Sequence, residues 1–273
     1  MTSPSPAAHL QTGTQRLLVE VTGPVAIVTF NNPGKHNALS ADMRAALPGL
    51  LGTLNADGDV RVIVMTGAGD KAFVSGADIS EFGEQRTSAA ARASYDQAWA
   101  AVNDAWASVD KPVIGMIRGF CMGGGLLTAL QADIRITSDD SQFGIPAARL
   151  GLGYPVSGVT ALMNLIGPAC TAEMLFSARL FSAAEALQMG LVNRVVPAGS
   201  LREAVLSLAD SIARNAPLTV AAAKAAIREA GRPRGRRDLA RVEAMVEACF
   251  QSEDYLEGQR AFAEKRPPAF TGQ

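Results

Sequence analysis

The sequence predicts an α/β protein in which layered sheets are closed by a helical C-terminal section. Through the first 200 residues, short β-branched and apolar runs alternate with helical stretches in the order strand, strand, helix. From Ser200 onward the chain reads almost wholly as helix. At 273 residues, with 48% hydrophobic and 19% charged, it is long enough to bury a substantial core and has a soluble, globular composition.

The elements follow in order. Residues 1–14 are rich in Ser, Thr, Pro and Ala and are expected to be disordered. "RLLVEVTGPVAIVTFN" gives two strands around Gly23–Pro24, a hairpin. Ser40 is placed as the N-cap of a helix running to about Asn55. "VRVIVMTGAG" reads as a buried strand ending in a glycine turn, and "KAFVSGADISEF" as a short strand, a tight turn and a helix start. Residues 88–109 form an Ala-rich helix; "KPVIGMIRG" is another buried strand, after which Gly123, Gly124 and Gly125 open a helix. "ADIRITSDDSQFGIP" supplies two strands, helices follow at about 158–166, 171–177 and 183–189, and "LVNRVVP" is the last strand. Breaks in the final helical section fall at Pro217 and around Gly231 to Gly235. The resulting divisions are a disordered terminus (1–14), a core domain (15–200) and a helical section (201–273).

Several function classes are disfavoured. A formal net charge of -1 and no basic stripe argue against nucleic acid as the main partner; the RPRGRR cluster, Arg232 to Arg237, reads as a solvated loop. Cys121, Cys170 and Cys249 are widely spaced with no CxxC, so neither a disulfide framework nor a zinc site is indicated; a reducing, cytoplasmic setting fits. Two histidines, His9 and His36, make no His-rich metal site. The first residues lack the apolar run of a signal peptide. The long apolar run Pro112 to Leu130 holds Arg118 and five glycines, so it reads as a buried strand and turn, not a membrane span. No GxGxxG follows a strand, Gly34–Lys35 lacks the earlier glycine of a P-loop, and no GxSxG elbow occurs.

Two glycine turns remain: Ser75-Gly76-Ala77-Asp78 and Gly123-Gly124-Gly125, each after a strand and before a helix. Backbone N–H groups at a helix start have no internal partner and sit at the positive end of its dipole. Two of them aimed at one point can bind a developing oxyanion, although tight turns and close packing also call for glycine.

Around these turns the chain resembles the crotonase, or enoyl-CoA hydratase/isomerase, superfamily. "NNPGKHNALS" (31–40), "KAFVSGADISEF" (71–82), "KPVIGMIRGFCMGGGLLTALQADIRI" (111–136), "SQFGIPAARLGL" (141–152), "FSAAEALQMGLVNRVVP" (181–197) and "EGQRAFAEKRPPAFTG" (257–272) match in order across nearly the whole chain. The resemblance implies a crotonase-like spiral of strand-strand-helix turns, with a helical C-terminal section that joins subunits into a homotrimer or hexamer. It implies an acyl-CoA substrate whose thioester oxygen meets the N–H groups of Ala77 and Gly124, with coenzyme A entering as part of the substrate and no permanently bound cofactor. Lys35, His36 and Ala38, with Gly76, Asp78 and Ile79, would line the CoA channel. Phe262 and Lys265 would touch CoA, that of a neighbouring subunit.

The chain departs from the family's hydratases at two positions. The glutamate of a GGGxE pattern is Leu127 here, and that of an FGxPE pattern is Ala147. Leu127 lies three residues beyond Gly124, one helical turn on, so its side chain is expected to line the reacting centre. Leucine and alanine cannot transfer protons, and each lost acid–base group is worth about 10²–10⁴-fold. Ser75, Cys121, Tyr154 and Ser157 are the remaining polar candidates; Tyr154 is the preferred one and resembles a tyrosine of the decarboxylating branch. With a phenol pKa of about 10 it suits a donor better than a base. Asp78 and Asp133 read as structural and Glu81 as a surface residue. The apolar residues near Trp99 and Trp106 read first as core, with a share in the acyl pocket as the alternative. Three functions stay open: an atypical hydratase or isomerase, a decarboxylase or lyase using Tyr154, and a non-catalytic acyl-CoA binder.

Overall fold

A computed structural model describes residues 8–78, 81 and 88–273. Two sheets organise it. The seven-stranded sheet has the order β1 (Ala8–His9), β2 (Leu17–Thr22), β3 (Val25–Phe30), β4 (Val62–Gly67), β6 (Val113–Ile117), β8 (Ile134–Ser138), β11 (Arg194–Val196). The four-stranded sheet has the order β10 (Phe181–Ser182), β9 (Gln142–Gly144), β7 (Phe120–Met122), β5 (Ala72–Val74). Consecutive strands are dealt alternately: β4, β6 and β8 go to the large sheet, and β5, β7 and β9 to the small one. Each turn of chain therefore adds one strand to each layer, and these additions pair in parallel. This is the expected spiral.

The large sheet is buried on both faces, which is why β4 and β6 are continuous apolar runs rather than alternating ones. One face looks into the main core, with Phe30, Leu47, Phe73, Trp106, Phe143 and Phe181. The other face carries Val25, Ile27, Val62, Val64, Ile114 and Ile136. It is covered by α6 (Leu201–Ala213), through Leu201, Val205, Ala209 and Ala213 at a strict helical spacing. A division at residue 200 therefore cuts through packed structure, because α6 is one layer of the core. The terminus is also corrected. Ala8–His9 pair antiparallel with β2, and Leu10 N–H donates to Val19 O at 3.2 Å. The expected disorder through residue 14 thus does not hold from residue 8 onward.

The remaining helices are α1 (Ala41–Ala56), α2 (Ala89–Ser108), α3 (Gly124–Ala129), α4 (Val156–Ser177), α5 (Ala183–Gln188), α7 (Pro217–Gly231), α8 (Leu239–Phe250) and α9 (Glu253–Glu264). Ser40 precedes α1, but its hydroxyl donates to Asp42 Oδ1 at 2.5 Å instead of accepting from the helix. The Ala41 N–H goes to both Glu81 carboxylate oxygens at 3.1 Å. Glu81, expected at the surface, is instead half-buried and caps α1 across 40 residues of sequence. α4 is long and apolar, yet Gly167 takes non-helical backbone angles ahead of Pro168 and splits it in two. Each half is shorter than the roughly 20 residues a bilayer requires. A break at Gln251–Ser252, which the sequence had not signalled, separates α8 from α9; Ser252 caps α9 by accepting from Tyr255 N–H at 3.1 Å. The tail past Lys265 is extended and folds back, with Gly272 N–H donating to Asp254 and Arg61 donating to Phe270 O at 2.6 Å.

Asp133 is structural, as expected. Its Oδ2 accepts from Val113 N–H and from Lys224 Nζ, both at 2.7 Å, and Lys224 also donates to Lys111 O. This ties α7 to the start of β6. Burial pulls the Lys224 ammonium down to about 8, against the opposing pull of Asp133. Between pH 8 and 10.5 the folded chain has released this proton while the unfolded chain keeps it, so stability rises with pH across that window. Wild type is expected to gain on Lys224→Met between pH 8 and 10 by at most about 3 kcal/mol. Urea unfolding at a series of pH values measures it; a constant difference would sink the assignment.

Candidate active site

β5 and β7 are parallel neighbours in the small sheet, so the turns that follow them leave at the same edge. After β5, Gly76 has φ 118°. Leu39 then bridges the segment, its N–H donating to Gly76 O at 2.8 Å and its carbonyl accepting from Asp78 N–H at 3.1 Å. In this parallel bridge the N–H of Ala77 points away from Leu39, towards the second turn.

The three glycines of that turn have separate reasons. Gly123 has φ 51° and ψ -117°, a backbone open only to glycine at low cost. A β-carbon on Gly125 would stand 2.0 Å from Val74 O, so its bareness lets α3 settle on β5. Gly124 is required by neither. A β-carbon there would meet Ala77 N at 3.4 Å and Trp99 Cη2 at 3.6 Å, ordinary contacts, and it would fill the space between the two turns. Gly124 is the first residue of α3, so its N–H has no intrahelical partner. Among the described residues, no backbone hydrogen bond takes up the N–H of Ala77 or of Gly124. Two donors therefore border one gap.

The wall beyond them is apolar. The turn from Gly123 O to Leu127 N–H closes at 3.1 Å, which puts Leu127 one turn from the gap as expected. Leu127 and Tyr154 converge over Gly158, where a β-carbon would lie 3.1 Å from Leu127 Cδ1 and 3.0 Å from Tyr154 Cε1. Ala147 follows Pro146, whose ring lies against Gly123. The Tyr154 hydroxyl is buried with no hydrogen-bond partner among the described residues, and burial pushes its ionisation well above the ordinary phenol value. The other polar candidates sit differently. Cys121 is fully buried, its thiol faces Gly125 O and its ionisation is pushed up by burial. The Ser75 hydroxyl donates to Lys35 O at 3.1 Å, and Ser157 is exposed on the first turn of α4.

The loop before α1 borders the same region. Ser75 N–H donates to His36 O, which joins it to the first glycine turn. His36 is exposed in a left-handed conformation and meets Phe120 edge to face at 6.3 Å. Lys35 Nζ pairs at 2.7 Å with Asp78, whose side chain is buried. Ala38 is buried. Sequence reasoning missed Asn37, which is buried and donates to Ala68 O and Ala72 O while accepting from Asn32 N–H. It also missed Arg44, although a charge beside Met43 on the apolar face of α1 was a readable signal. Ile79 lies outside the described residues. Phe262 and Lys265 stand at the exposed end of α9, Phe262 being 88% exposed.

A family model described as "Enoyl-CoA hydratase/isomerase" matches residues 20–273. The chain belongs to the crotonase family. A short-chain-enoyl-CoA hydratase from Clostridium acetobutylicum is 35% identical over 250 residues, covering 92% of this chain and 95% of that protein. A carnitinyl-CoA dehydratase from Salmonella typhi is 34% identical over 255 residues, covering 92% and 96%. Among solved structures, an enoyl-CoA hydratase/isomerase family protein from Hyphomonas neptunium superposes with a TM-score of 0.89 at 37% identity, covering 96% of this chain and all of that one. An enoyl-CoA hydratase/carnithine racemase from Magnetospirillum magneticum gives 0.89 at 33%, covering 95% and 97%.

In this crotonase chain the approach of α3 to β5 sets the gap. Gly125→Ala drives a methyl into Val74 O and is expected to cost about 1–3 kcal/mol or more, while Gly158→Ala, which meets only side-chain ends, costs less. Thermal denaturation of the two variants decides it; equal midpoints would contradict the packing argument.

Proposed function

We propose that this chain binds an acyl-CoA thioester and stabilises its enolate, with the N–H groups of Ala77 and Gly124 as the oxyanion hole. The observation that carries the reading is the gap itself. Two backbone donors border it, and the glycine beside it is required by neither packing nor backbone conformation. Preorganised donors in a poorly solvated gap stabilise charge as it develops, and losing one costs about 10²–10³-fold. The acyl-CoA is substrate, Lys35, His36, Ala38, Gly76 and Asp78 border its CoA portion, and no resident cofactor is required. The setting is cytoplasmic, where Cys121, Cys170 and Cys249 stay free thiols.

Hydration of an enoyl-CoA needs one group to deprotonate water and another to protonate the α-carbon. Leu127 and Ala147 offer neither, so crotonyl-CoA hydration is slow in this chain. A second reading is favoured by the Tyr154 hydroxyl, which is buried, protonated and without a hydrogen-bond partner among the described residues, beside an apolar wall. In decarboxylation of a malonyl-type thioester, the bond to the carboxyl carbon breaks, carbon dioxide leaves, and its electron pair moves into the thioester carbonyl. The hole holds the enolate oxygen, and a proton then reaches the α-carbon. An apolar wall disfavours the substrate carboxylate more than the enolate held by the hole. Tyr154 as a donor would orient the carboxylate or deliver that proton.

A panel of crotonyl-, malonyl- and methylmalonyl-CoA followed by mass spectrometry tests both readings. Gly124→Pro is the decisive variant. Proline is tolerated at the first helical position, but it removes the N–H and also puts ring carbon into the gap, so turnover is expected to fall by at least about 10²–10³-fold. Fast hydration by the wild type would overturn the role given to Leu127 and Ala147. Unchanged decarboxylation in Tyr154→Phe would remove Tyr154 from the mechanism. Tight binding with no product would make the chain a carrier of acyl-CoA.

The C-terminal helices carry exposed large apolar residues, among them Ile227, Leu239, Phe250, Leu256 and Phe262. α8 buries none of its residues within the chain. A face of this kind calls for a covering partner. A homotrimer, or a hexamer of two trimers, covers it and brings Phe262 and Lys265 against a neighbour's CoA. Light scattering after gel filtration is expected to give three or six chains; a monomer at micromolar concentration would refute this.

A further inference from the structure

Trp99 and Arg44 have no part in the hole, yet they bear directly on it. Trp99 lies on α2, and its Cη2 is 3.6 Å from the β-carbon position of Gly124, the same point that lies 3.4 Å from Ala77 N. The ring is half-buried and packs against the main apolar core. It also meets Tyr95 edge to face, with centroids 6.3 Å apart. The guanidinium of Arg44 stacks at 5.6 Å from the Trp99 ring and 5.1 Å from the Tyr95 ring. Only 3% of the Arg44 side chain is exposed. Its Nη1 donates to Leu39 O at 2.8 Å, and its Nη2 pairs with Glu81 at 3.3 Å. Leu39 O is the carbonyl that also accepts from Asp78 N–H, one residue past Ala77. A single buried cation therefore touches both Leu39, which bridges to the segment that presents Ala77, and the indole that overhangs Gly124.

A thioester oxygen in the gap fixes the direction of the rest of the molecule. The sulfur side leads to a charged nucleotide, which needs water and cations, and the exposed Lys35 and His36, joined to the first glycine turn through Asp78 and Ser75, are assigned to that side. The acyl side must be apolar, and among the described residues the indole joined to the core is the side chain nearest the β-carbon position of Gly124. A flat ring across that path stops a chain that a small residue would let pass.

We propose that Trp99 ends the acyl side of the site and restricts the chain to short acyl groups, with Arg44 as the positioning residue that holds the ring in place. This rests on the acyl-CoA reading above. Arg44 acts through its planar face and its fork of donors, which stack and bond at once, so lysine is not an equivalent replacement.

Calorimetric titration with free CoA, butyryl-CoA and octanoyl-CoA tests the proposal on wild type, Trp99→Ala, Trp99→Leu and Arg44→Lys. The wild type is expected to favour butyryl-CoA. Trp99→Ala should move the butyryl-to-octanoyl affinity ratio towards octanoyl by about ten-fold or more, with free CoA bound as before. Arg44→Lys should move the ratio in the same direction by less, a change in selectivity that mere loss of stability does not produce. Trp99→Leu serves where the alanine variant does not fold. A wild type that binds all three ligands with a ratio unmoved by Trp99 variants overturns this inference alone. A wild type that binds no CoA compound overturns the acyl-CoA reading, and this inference falls with it.

Discussion

The contact between Gly125 and Val74 O governs the geometry of the site. A helix cannot normally begin against a neighbouring strand's carbonyl, because a β-carbon 2.0 Å from that oxygen is excluded. Without one, α3 sits directly on β5, and its first N–H is brought level with Ala77. Parallel pairing of β5 with β7 supplies the other half of the constraint, since it sends both turns out at one edge. The Leu39 bridge then spends the neighbouring N–H and carbonyl groups and leaves that of Ala77 directed at the gap. Alignment of this kind comes from packed backbone, which holds donors more rigidly than side chains would and costs little reorganisation when charge develops.

What the gap can do is limited by what surrounds it. Leu127, Ala147 and the ring of Tyr154 form a wall with no carboxylate among them, and the one buried hydroxyl keeps its proton. Chemistry in which charge appears on the thioester oxygen is served well there. Chemistry that needs proton shuttling from water is served badly. Strong membership in a family of hydratases and dehydratases fixes the ligand class more firmly than the step performed on it.

Arg44 gives the same region a second layer of order. A guanidinium buried among aromatic rings is stable because stacking, a backbone carbonyl and the Glu81 carboxylate replace its lost water. The same Glu81 carboxylate caps α1, so helix start, cation and indole form one connected unit beside the gap.

The sequence alone determined the strand–strand–helix order, nearly every element, the two glycine turns and the placement of Leu127, because periodicity, glycine spacing and helical pitch are local properties. It missed what depends on partners far along the chain. Ser40 looked like a cap, but Glu81 does the capping; residue 200 looked like a boundary, but α6 completes the sheet's second face; residues 8–9 looked disordered, but β2 gave them an edge to join. Asn37 and Arg44 went unassigned because their roles lie in carbonyls and rings brought near only by folding. Tertiary structure also decided why the triplet is three glycines: one for its backbone angle, one for a strand carbonyl, and one for neither. The first two are explained by covalent geometry and packing within the chain, and the third is left to face whatever enters the gap.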